Sequence, residues 1–477
     1  MKEYEAVIGL EVHLQLSTKT KAFCGCSTEF GKGPNTQTCP SCLGLPGALP
    51  LFNKKVLEYA IKVALALNCK VQKYTKFDRK NYFYPDLSKN YQISQYDFPL
   101  SLDGYLNLPT LAGVKPIGIA RVHIEEDAGK LIHEEGVSLI DFNRAGMPLL
   151  EIVSQPELTS PEEAHLYLST LKSVIEYLDV SDCDMEKGSL RCDANVSLRP
   201  KGEKKLGVKT EIKNMNSFKG VKDALTYEIK RQAELLGSGS MVIQETRLWD
   251  AKELKTISMR TKEAAKDYRY FPDPDLPPLK ITESMVKEIK DTIPELPYEK
   301  SCRFIKEYGL PEYDARILVA SCQDANFAEE SFKVYPNKDK KAVSNWFIGP
   351  LLKEANDRNM SISKLGVTSK NLLQLIALTE KNEISLLSAK IVLTEMINTG
   401  KLPTDIIKEK NLAQISEEGA LKEMVVEVIK ENPKSAEDYK SGKENALMFL
   451  VGQLMRKSKG KANPKIAKEL LKDTLNA

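Results

Sequence analysis

The stretch LRCDANVSLR at residues 190–199 decides the fold class of the first half of the chain, because its apolar and polar residues alternate without interruption. The apolar positions are Leu190, Cys192, Ala194, Val196 and Leu198, and the polar positions are Arg191, Asp193, Asn195 and Ser197. Successive side chains of a β-strand point to opposite faces, so the pattern predicts a strand with one buried and one polar face. After a polar turn, residues 208–213 alternate in the same way and predict the second strand of an antiparallel hairpin.

Two other predicted strands add polar side chains to this face. The polar positions are Glu11 and His13 in residues 10–17, Arg121, His123 and Glu125 in residues 119–129 with Glu126 following at the strand end, and Lys209, Glu211 and Lys213 in the hairpin. Alternation alone leaves open which of the two adjacent glutamates reaches a site. For any single strand, the solvent-facing side of a half-buried sheet has the same pattern.

Several strands that offer carboxylates beside His, Lys or Arg could together bind a hard divalent cation and a phosphate group. Phosphoryl transfer needs both, since the metal neutralises phosphate oxygens and the basic side chains stabilise the charge that develops in the transition state. The chain contains neither G-x-x-x-x-G-K-[ST] nor G-x-G-x-x-G. A P-loop and a Rossmann crevice are therefore excluded.

Four of the nine cysteines form a motif with metal-ligand spacing. Cys24, Cys26, Cys39 and Cys42 read C-x-C-x12-C-P-x-C. Two short pairs of thiolates joined by a loop can surround one tetrahedral Zn²⁺, so we predict a closed, structural zinc site, with free cysteines as the alternative. The other five cysteines are scattered, which is typical of small core residues.

The composition is that of a soluble globular protein. The 477 residues include 69 Lys and Arg against 66 Asp and Glu, and 42% are hydrophobic. The near-neutral charge excludes a polycation. The chain shows neither a long apolar run typical of a membrane span nor a leader with a basic start and an apolar centre, so we expect a cytoplasmic protein without a membrane partner.

The distribution of helix and strand patterns predicts an α+β protein of three domains. Residues 1–293 mix strands with amphipathic helices and form a largely antiparallel cradle. Six prolines between 271 and 298 mark its end. Residues 294–407 are predicted to form an all-α connector domain, and residues 408–477 a small all-α tail domain.

The tail concentrates positive charge. Residues 441–477 contain eight Lys and Arg against three Asp and Glu. Arg456, Lys457, Lys459 and Lys461 are predicted to lie in a loop between two short helices, where they could contact phosphates electrostatically. A solvated helical surface is the alternative.

Several long motifs occur in the order of one known family. They are VIGLEVHLQL (7–16), FDRKNYFYPDLSKNYQISQYD (77–97), HIEEDAGK (123–130), DFNRAGMPLLEIVS (141–154), GSLRCDANVSLRP (188–200), EIKNMNSFKG (211–220) and YRYFPDPDLPP (268–278). Together they resemble the B subunits of the bacterial and archaeal glutamyl-tRNA(Gln)/aspartyl-tRNA(Asn) amidotransferases. The end of the chain, from Leu447 to Asp473, is similar to the helical tail domain of that family.

The resemblance implies a carbon–nitrogen ligase with glutamine as amido-N donor, acting as one subunit of a heterotrimer. Such a subunit uses ATP and Mg²⁺ to phosphorylate the side-chain carboxylate of Glu-tRNA(Gln) or Asp-tRNA(Asn). Ammonia from a partner amidase (A) subunit then displaces phosphate, and a small C subunit completes the complex. The chain has no glutaminase signature of its own, which agrees with ammonia supplied by a partner.

The resemblance also implies roles for particular residues. Glu11, His13 and one of Glu125 and Glu126, with Glu126 favoured, are the candidate Mg²⁺ ligands. Further candidates for the catalytic cluster are Glu151, Asp193 and Glu211, and the candidate phosphate-facing cations are Arg191, Lys209 and Lys213. The basic residues Arg456, Lys457, Lys459 and Lys461 would contact the tRNA body, and the zinc would be structural. The alternative function is a zinc-stabilised tRNA-binding scaffold without chemistry of its own.

Overall fold

The computed structural model describes residues 3–110, 112–261, 268–414, 418–458, 462 and 464–476. The chain divides into two compact units, Met1–Leu296 and Pro297–Ala477. Strands dominate the first unit, and the regular elements described in the second are helical, which confirms the α+β class. The predicted border near residue 407, and with it the three-domain scheme, stays a prediction.

The first unit contains the strands β1 (Tyr4–Gln15), β2 (Lys70–Val71), β3 (Tyr74–Thr75), β4 (Asp78–Asn81), β5 (Tyr91–Ser94), β6 (Ser101–Thr110), β7 (Gly113–Glu126), β8 (Lys130–Glu134), β9 (Val137–Asp141), β10 (Pro148–Ser154), β11 (Leu190–Pro200), β12 (Thr210–Met215), β13 (Glu245–Asp250), β14 (Lys255–Thr261), β15 (Phe271–Pro272) and β16 (Leu279–Lys280). Its helices are α1 (Pro40–Leu43), α2 (Lys54–Ala66), α3 (Pro161–Leu178), α4 (Phe218–Gly237) and α5 (Glu283–Lys290).

A nine-stranded sheet organises this unit, in the order β14-β13-β12-β11-β1-β10-β7-β6-β2. Only β12 and β13 pair in parallel among its described strands, so the sheet is largely antiparallel as predicted. The hairpin predicted from residue 190 onward is present as β11 and β12. However, β12 begins at Thr210, so Val208 and Lys209 precede the strand in an exposed segment.

One face of the large sheet is covered by helices α2, α3 and α4. Its leucine, isoleucine and valine side chains are buried in one continuous core with these helices. Helix α3 begins where Ser160 accepts a hydrogen bond from the Glu163 amide at 3.1 Å and Pro161 occupies the first turn. Burial of the apolar positions fixes the strand register, and the intervening polar positions must therefore share the opposite face.

Smaller sheets flank the large one. A three-stranded sheet has the order β15-β4-β5, and β16 pairs with β3 and β8 with β9. Strand β5 packs beside β7 of the large sheet. Residues from the small sheet can therefore reach the polar side chains at the end of β7.

The second unit contains the helices α6 (Pro297–Tyr308), α7 (Glu312–Leu318), α8 (Cys322–Val334), α9 (Lys341–Trp346), α10 (Leu352–Asp357), α11 (Ser369–Glu380), α12 (Leu386–Thr399), α13 (Pro403–Glu409), α14 (Glu418–Glu431), α15 (Pro433–Lys440), α16 (Asn445–Lys457) and α17 (Pro464–Asn476). A π-helical turn at Phe347–Leu351 joins α9 to α10. Buried residues between Leu421 and Leu475 form a hydrophobic cluster of their own. Among the described residues, no helix has the length and apolar character that crossing a bilayer requires.

Candidate functional site

The register of four central strands brings the polar side chains into one cluster. His13 in β1 lies opposite Arg191 in β11 on one side and opposite Glu151 in β10 on the other. Glu151 in turn lies opposite His123 in β7. Directly opposed residues of antiparallel strands share a face. The polar positions that alternation predicted on separate strands thus form a continuous row across the sheet.

His13 stands at the centre of three carboxylates. Its Nε2 atom is 3.5 Å from Glu151 Oε2, 3.7 Å from Glu125 Oε1 and 3.9 Å from Glu11 Oε1. His123 Nε2 lies 3.4 Å from Glu151 Oε2. Two sets, Glu11 with His13 and Asp193, and His13 with Glu125 and Glu151, have ligand atoms within 4.8 Å of one another. Such oxygen and imidazole donors suit a hard divalent cation.

The electrostatics of the cluster reflect crowded negative charge. Burial and the neighbouring charge of Glu151 raise the pKa of Glu11. Burial alone would lower the pKa of His13, but its contact with Glu151 and the charges of Glu125 and Glu11 raise it to about 9. Burial alone would raise the pKa of Glu151, but His123 and His13 hold it well below its usual range. A bound cation would relieve the repulsion among these carboxylates.

The structure places Glu125 in this cluster and Glu126 outside it, whereas the metal-binding role for which Glu126 was favoured stays a prediction. Strand β7 stays regular through both residues, so their side chains point to opposite faces. Glu126 pairs with Lys89 and accepts the Ile93 amide at 2.9 Å. Glu125 instead accepts a hydrogen bond from Ser94 Oγ at 3.3 Å and faces His13.

Two of the three predicted phosphate-facing cations already contact carboxylates, and the third lies apart. Lys213 pairs with Asp193 and lies 3.1 Å from Glu211 Oε1, and Glu211 also accepts a hydrogen bond from Thr246. Arg191 Nη2 donates to Asp127 Oδ2 at 2.9 Å. Lys209 is exposed before β12. Lys213 and Arg191 thus border the cluster, whereas no contact brings Lys209 to it among the described residues.

The structure adds Lys80 and Arg121 to the basic side chains beside the cluster. Burial alone would lower the pKa of Lys80, but the charges of Glu125 and Glu151 raise it above its usual value. Arg121 Nη2 lies 3.9 Å from Glu151 Oε1, and its Nε atom is buried without a hydrogen-bond partner among the described residues. A buried, unpaired donor is costly and is available to a bound anion. Lys80 was missed because it arrives from β4 of the small sheet, where no alternation marks it.

The four clustered cysteines meet as the sequence predicts. The Sγ atoms of Cys24, Cys26, Cys39 and Cys42 lie within 4.8 Å of one another, so the four residues could hold a metal ion such as zinc. The hydrogen bond from Cys24 lowers the pKa of Cys42 below its usual range. The described structure contains no other group of four cysteines within such a distance.

A fully buried lysine lies under the cysteine cluster. Lys21 Nζ is 3.7 Å from Cys42 Sγ and donates to the Phe142 carbonyl oxygen at 3.3 Å. An unpaired charge in a protein interior is strongly unfavourable. Cys42 Sγ and the Phe142 carbonyl oxygen are the polar partners that the structure shows for the Lys21 ammonium group.

In the tail, Arg456 and Lys457 occupy the last turn of α16, which corrects the prediction of a loop at these two residues. The helix continues because Leu447, Leu450 and Leu454 bury a stripe that extends to its end. Lys457 lies 2.7 Å from Glu427 and 2.6 Å from Glu431. Lys459 and Lys461 lie outside the described residues, so their predicted role stays a prediction.

The fold and the site define a class: an α+β protein whose central sheet presents carboxylates and imidazoles suited to a hard metal ion, bordered by basic side chains. The chain matches two family models, the GatB/GatE catalytic domain over residues 6–287 and the GatB domain over residues 326–475. These matches cover most of both compact units.

Relatives named as the B subunit of aspartyl/glutamyl-tRNA(Asn/Gln) amidotransferase are similar over the whole length. The one from Carboxydothermus hydrogenoformans is 55% identical over 480 residues, covering 100% of this chain and 99% of its own. The one from Caldanaerobacter subterraneus subsp. tengcongensis is 55% identical, covering 99% of this chain and 100% of its own. The one from Brevibacillus brevis is 51% identical, with 100% of both covered. The chain therefore belongs to the GatB family of amidotransferase B subunits, as its motifs indicated.

Proposed function

We propose that this chain activates the side-chain carboxylate of Glu-tRNA(Gln), Asp-tRNA(Asn) or both with ATP, and that it then converts the activated group to an amide. The observation that carries the proposal is the row of Glu11, His13, Glu125 and Glu151 on adjacent strands of a chain in this family. A carboxylate is a poor acylating agent because oxide would have to leave. An acyl phosphate releases phosphate and can be attacked by ammonia.

In the first step, an oxygen of the substrate carboxylate attacks the γ-phosphorus of ATP, and the bond to ADP breaks. Lys80, Arg121 and Lys213 border the cluster and would hold the phosphate oxygens on which charge develops. In the second step, ammonia attacks the acyl carbon, phosphate leaves, and a proton is lost to give the amide.

The cluster fits Mg²⁺ on two observations. Its carboxylates are close enough for burial and mutual repulsion to raise the pKa of Glu11, and its donor atoms are oxygens and imidazole nitrogens. Glu11, His13, Glu125 and Glu151 would hold the ion, with Asp193 beside them. When bound, Mg²⁺ supplies charge neutralisation to the two anions that must meet. Glu211 would act through Lys213, and Arg191 would border the phosphate site.

The proposed complex contains a partner amidase subunit that supplies ammonia from glutamine, together with a small C subunit. The relatives are named as subunits of an amidotransferase, which supports a multi-subunit assembly. The basic residues near the end of α16 would contact the tRNA body, and Zn²⁺ at the four cysteines would stabilise the fold. Because this chemistry serves protein synthesis, the cytoplasm is the proposed location.

The test is amide formation by the assembled complex with ATP, glutamine and Glu-tRNA(Gln) or Asp-tRNA(Asn). His13→Ala and Glu11→Ala should abolish ATP-dependent activation, while glutamine hydrolysis by the partner remains largely intact. His133→Ala and Glu134→Ala are matched controls, because both residues are exposed in the β8–β9 hairpin. If no ATP-dependent product forms from either substrate, the proposal fails and the scaffold function is favoured. An equal loss of both activities would make Glu11 and His13 structural.

A further inference from the structure

A contiguous group of four tyrosines lies beside the catalytic cluster and has no part in the chemistry described so far. The rings of Tyr96 and Tyr270 are stacked, with centroids 4.3 Å apart and planes at 8°. Tyr268 contacts the Tyr270 ring at 6.0 Å and the Tyr82 ring at 5.9 Å, both edge-on. These four residues, called here the tyrosine platform, form an aromatic surface longer than one nucleobase.

The small sheet holds the platform in place. Tyr82 follows β4, Tyr96 follows β5 and Tyr270 precedes β15, and β4 pairs with both of the other strands. The Asn81 amide donates to the Tyr268 carbonyl oxygen at 2.9 Å. Strand pairing and a backbone hydrogen bond therefore hold the backbone that carries the rings, and the rings contact one another, as a preorganised binding surface requires.

The platform is open on one side. Tyr96 is 55% exposed, whereas Tyr82, Tyr268 and Tyr270 are half-buried, and Phe83 beside Tyr82 is 82% exposed. A group of aromatic rings that is partly open to solvent is a candidate interaction surface. Because rings of this kind stack on flat partners, nucleobases are the ligand chemistry that they fit.

On its other side the platform adjoins the carboxylates. Ser94 in β5 donates to Glu125 Oε2 at 3.3 Å, and Tyr96 lies two residues further along the chain. The Lys80 ammonium group is 5.1 Å from the centroid of the Tyr268 ring, and this lysine is the one whose charge is stabilised by Glu125 and Glu151. A nucleotide on the rings would thus place its attached acyl group next to the proposed reaction centre, with a cation for its phosphate.

We propose that the tyrosine platform binds the unpaired 3′-terminal bases of the aminoacylated RNA by stacking, and so positions the side chain to be activated. This inference rests on the proposed function and assigns the RNA end to a specific surface. Sequence-specific hydrogen bonding is not required, because stacking accepts every base. The length of the platform favours successive bases of an RNA end over the single adenine of ATP.

The first test measures equilibrium binding to the assembled complex, independently of catalysis. The probes are tRNA(Gln) and the same tRNA without its unpaired 3′ nucleotides, and the variants are Tyr96→Leu and Tyr270→Leu. Stacking is worth about 1–3 kcal/mol per base, so each leucine variant should weaken binding of intact tRNA by about 5- to 150-fold. Removing the 3′ nucleotides should weaken tRNA binding to the wild-type complex. In the leucine variants the same removal should cause little further loss of affinity.

The second test measures steady-state amide formation. The leucine variants should raise KM for aminoacyl-tRNA by about the same factor by which they weaken tRNA binding. Their KM for ATP should stay within about twofold of the wild-type value. Tyr96→Phe and Tyr270→Phe should retain wild-type values because they keep the ring, which separates stacking from a folding defect. Tyr105→Leu is the matched control, since Tyr105 is 43% exposed in β6.

A rise in KM for ATP alone would overturn the inference and assign the rings to the adenine of ATP. Unchanged binding and KM in both leucine variants would overturn it as well. If the wild-type complex forms no amide at all, the proposed function fails, while the binding measurement still decides whether the platform holds an RNA end.

Discussion

Glu125→Gln should raise the Mg²⁺ concentration that supports half-maximal amide formation, whereas Glu126→Gln should leave it nearly unchanged. The two residues are adjacent in β7 but face opposite sides of the sheet. Glutamine at position 125 keeps an oxygen for the Ser94 hydroxyl and loses only the negative charge. Glutamine at position 126 keeps an acceptor for the Ile93 amide and loses its pairing with Lys89.

The size of the effect follows from the spacing of the charges. Glu125 and Glu151 have carboxylate oxygens within 4.8 Å of each other around His13. Two unit charges about 4 Å apart interact by about 4 kcal/mol at an effective dielectric constant near 20. Glutamine keeps a side-chain oxygen that can still face the cation, and solvent screening reduces the loss further, so we expect a net cost of about 3 kcal/mol. At about 1.4 kcal/mol per factor of ten, the Mg²⁺ midpoint should rise about 100-fold.

The assay is a Mg²⁺ titration of amide formation by the assembled complex, with ammonium chloride as nitrogen donor so that the partner's glutaminase reaction does not contribute. Circular dichroism and thermal melting of each variant control for folding. For Glu126→Gln the midpoint should stay within about threefold of wild type, even if the rate itself falls. Equal midpoint shifts in both variants, or a shift in Glu126→Gln alone, would refute the assignment of Glu125 to the cation.

Three further predictions concern the zinc cluster, the helical unit and the tail. Mass spectrometry of metals should find one equivalent of zinc in the purified protein. Cys42→Ser should lose the metal and melt at a lower temperature. Cys302→Ser should match the wild type in both respects, because Cys302 is exposed and lies outside the cluster. Despite burial, Arg303 and neighbouring lysines lower the pKa of Glu329 to about 2, from 4.5 for a free side chain. This pairing stabilises the fold above pH 4.5, and the stabilisation is lost as the pH falls towards 2. In urea unfolding, Glu329→Gln should therefore lower the free energy of unfolding by about 2 kcal/mol at pH 7, after allowance for solvent screening. The difference from wild type should become progressively smaller below pH 4.5. Truncation after residue 407 should weaken tRNA binding and flatten its salt dependence, and unchanged affinity would contradict a role of the tail in tRNA binding.

The sequence predicted those parts of the fold that follow from local periodicity. Alternation in residues 190–199 predicted Arg191 and Asp193 on one face of a strand, and β11 has that arrangement. The arrangement is strongly specified because a shift of the strand register by one residue would expose all its apolar side chains. The spacing of the four cysteines predicted their convergence, since each short pair is held by its own turn. The parallel pairing of β12 with β13 was not visible, because alternation carries no information on strand direction.

The site was predicted less completely, because it depends on which strands become neighbours. Lys80 and Ser94 reach the cluster from the small sheet, and no pattern within residues 77–97 indicates that approach. The choice of Glu126 came from resemblance, whereas the geometry of a regular strand favours Glu125. Lys209 was assigned to a strand that begins one residue later, so its side chain never joins the face.

The burial of Lys21 has an evolutionary consequence. This ammonium group contacts Cys42 and a backbone carbonyl and has no access to solvent. A chain that replaced the four cysteines would leave this ammonium group with the Phe142 carbonyl oxygen as its remaining polar partner, so we expect substitution of the cysteines alone to destabilise the fold. In relatives without the cysteines, the position of Lys21 should have changed to a neutral residue or acquired a new acidic neighbour. The cysteines and Lys21 should therefore be inherited and lost together.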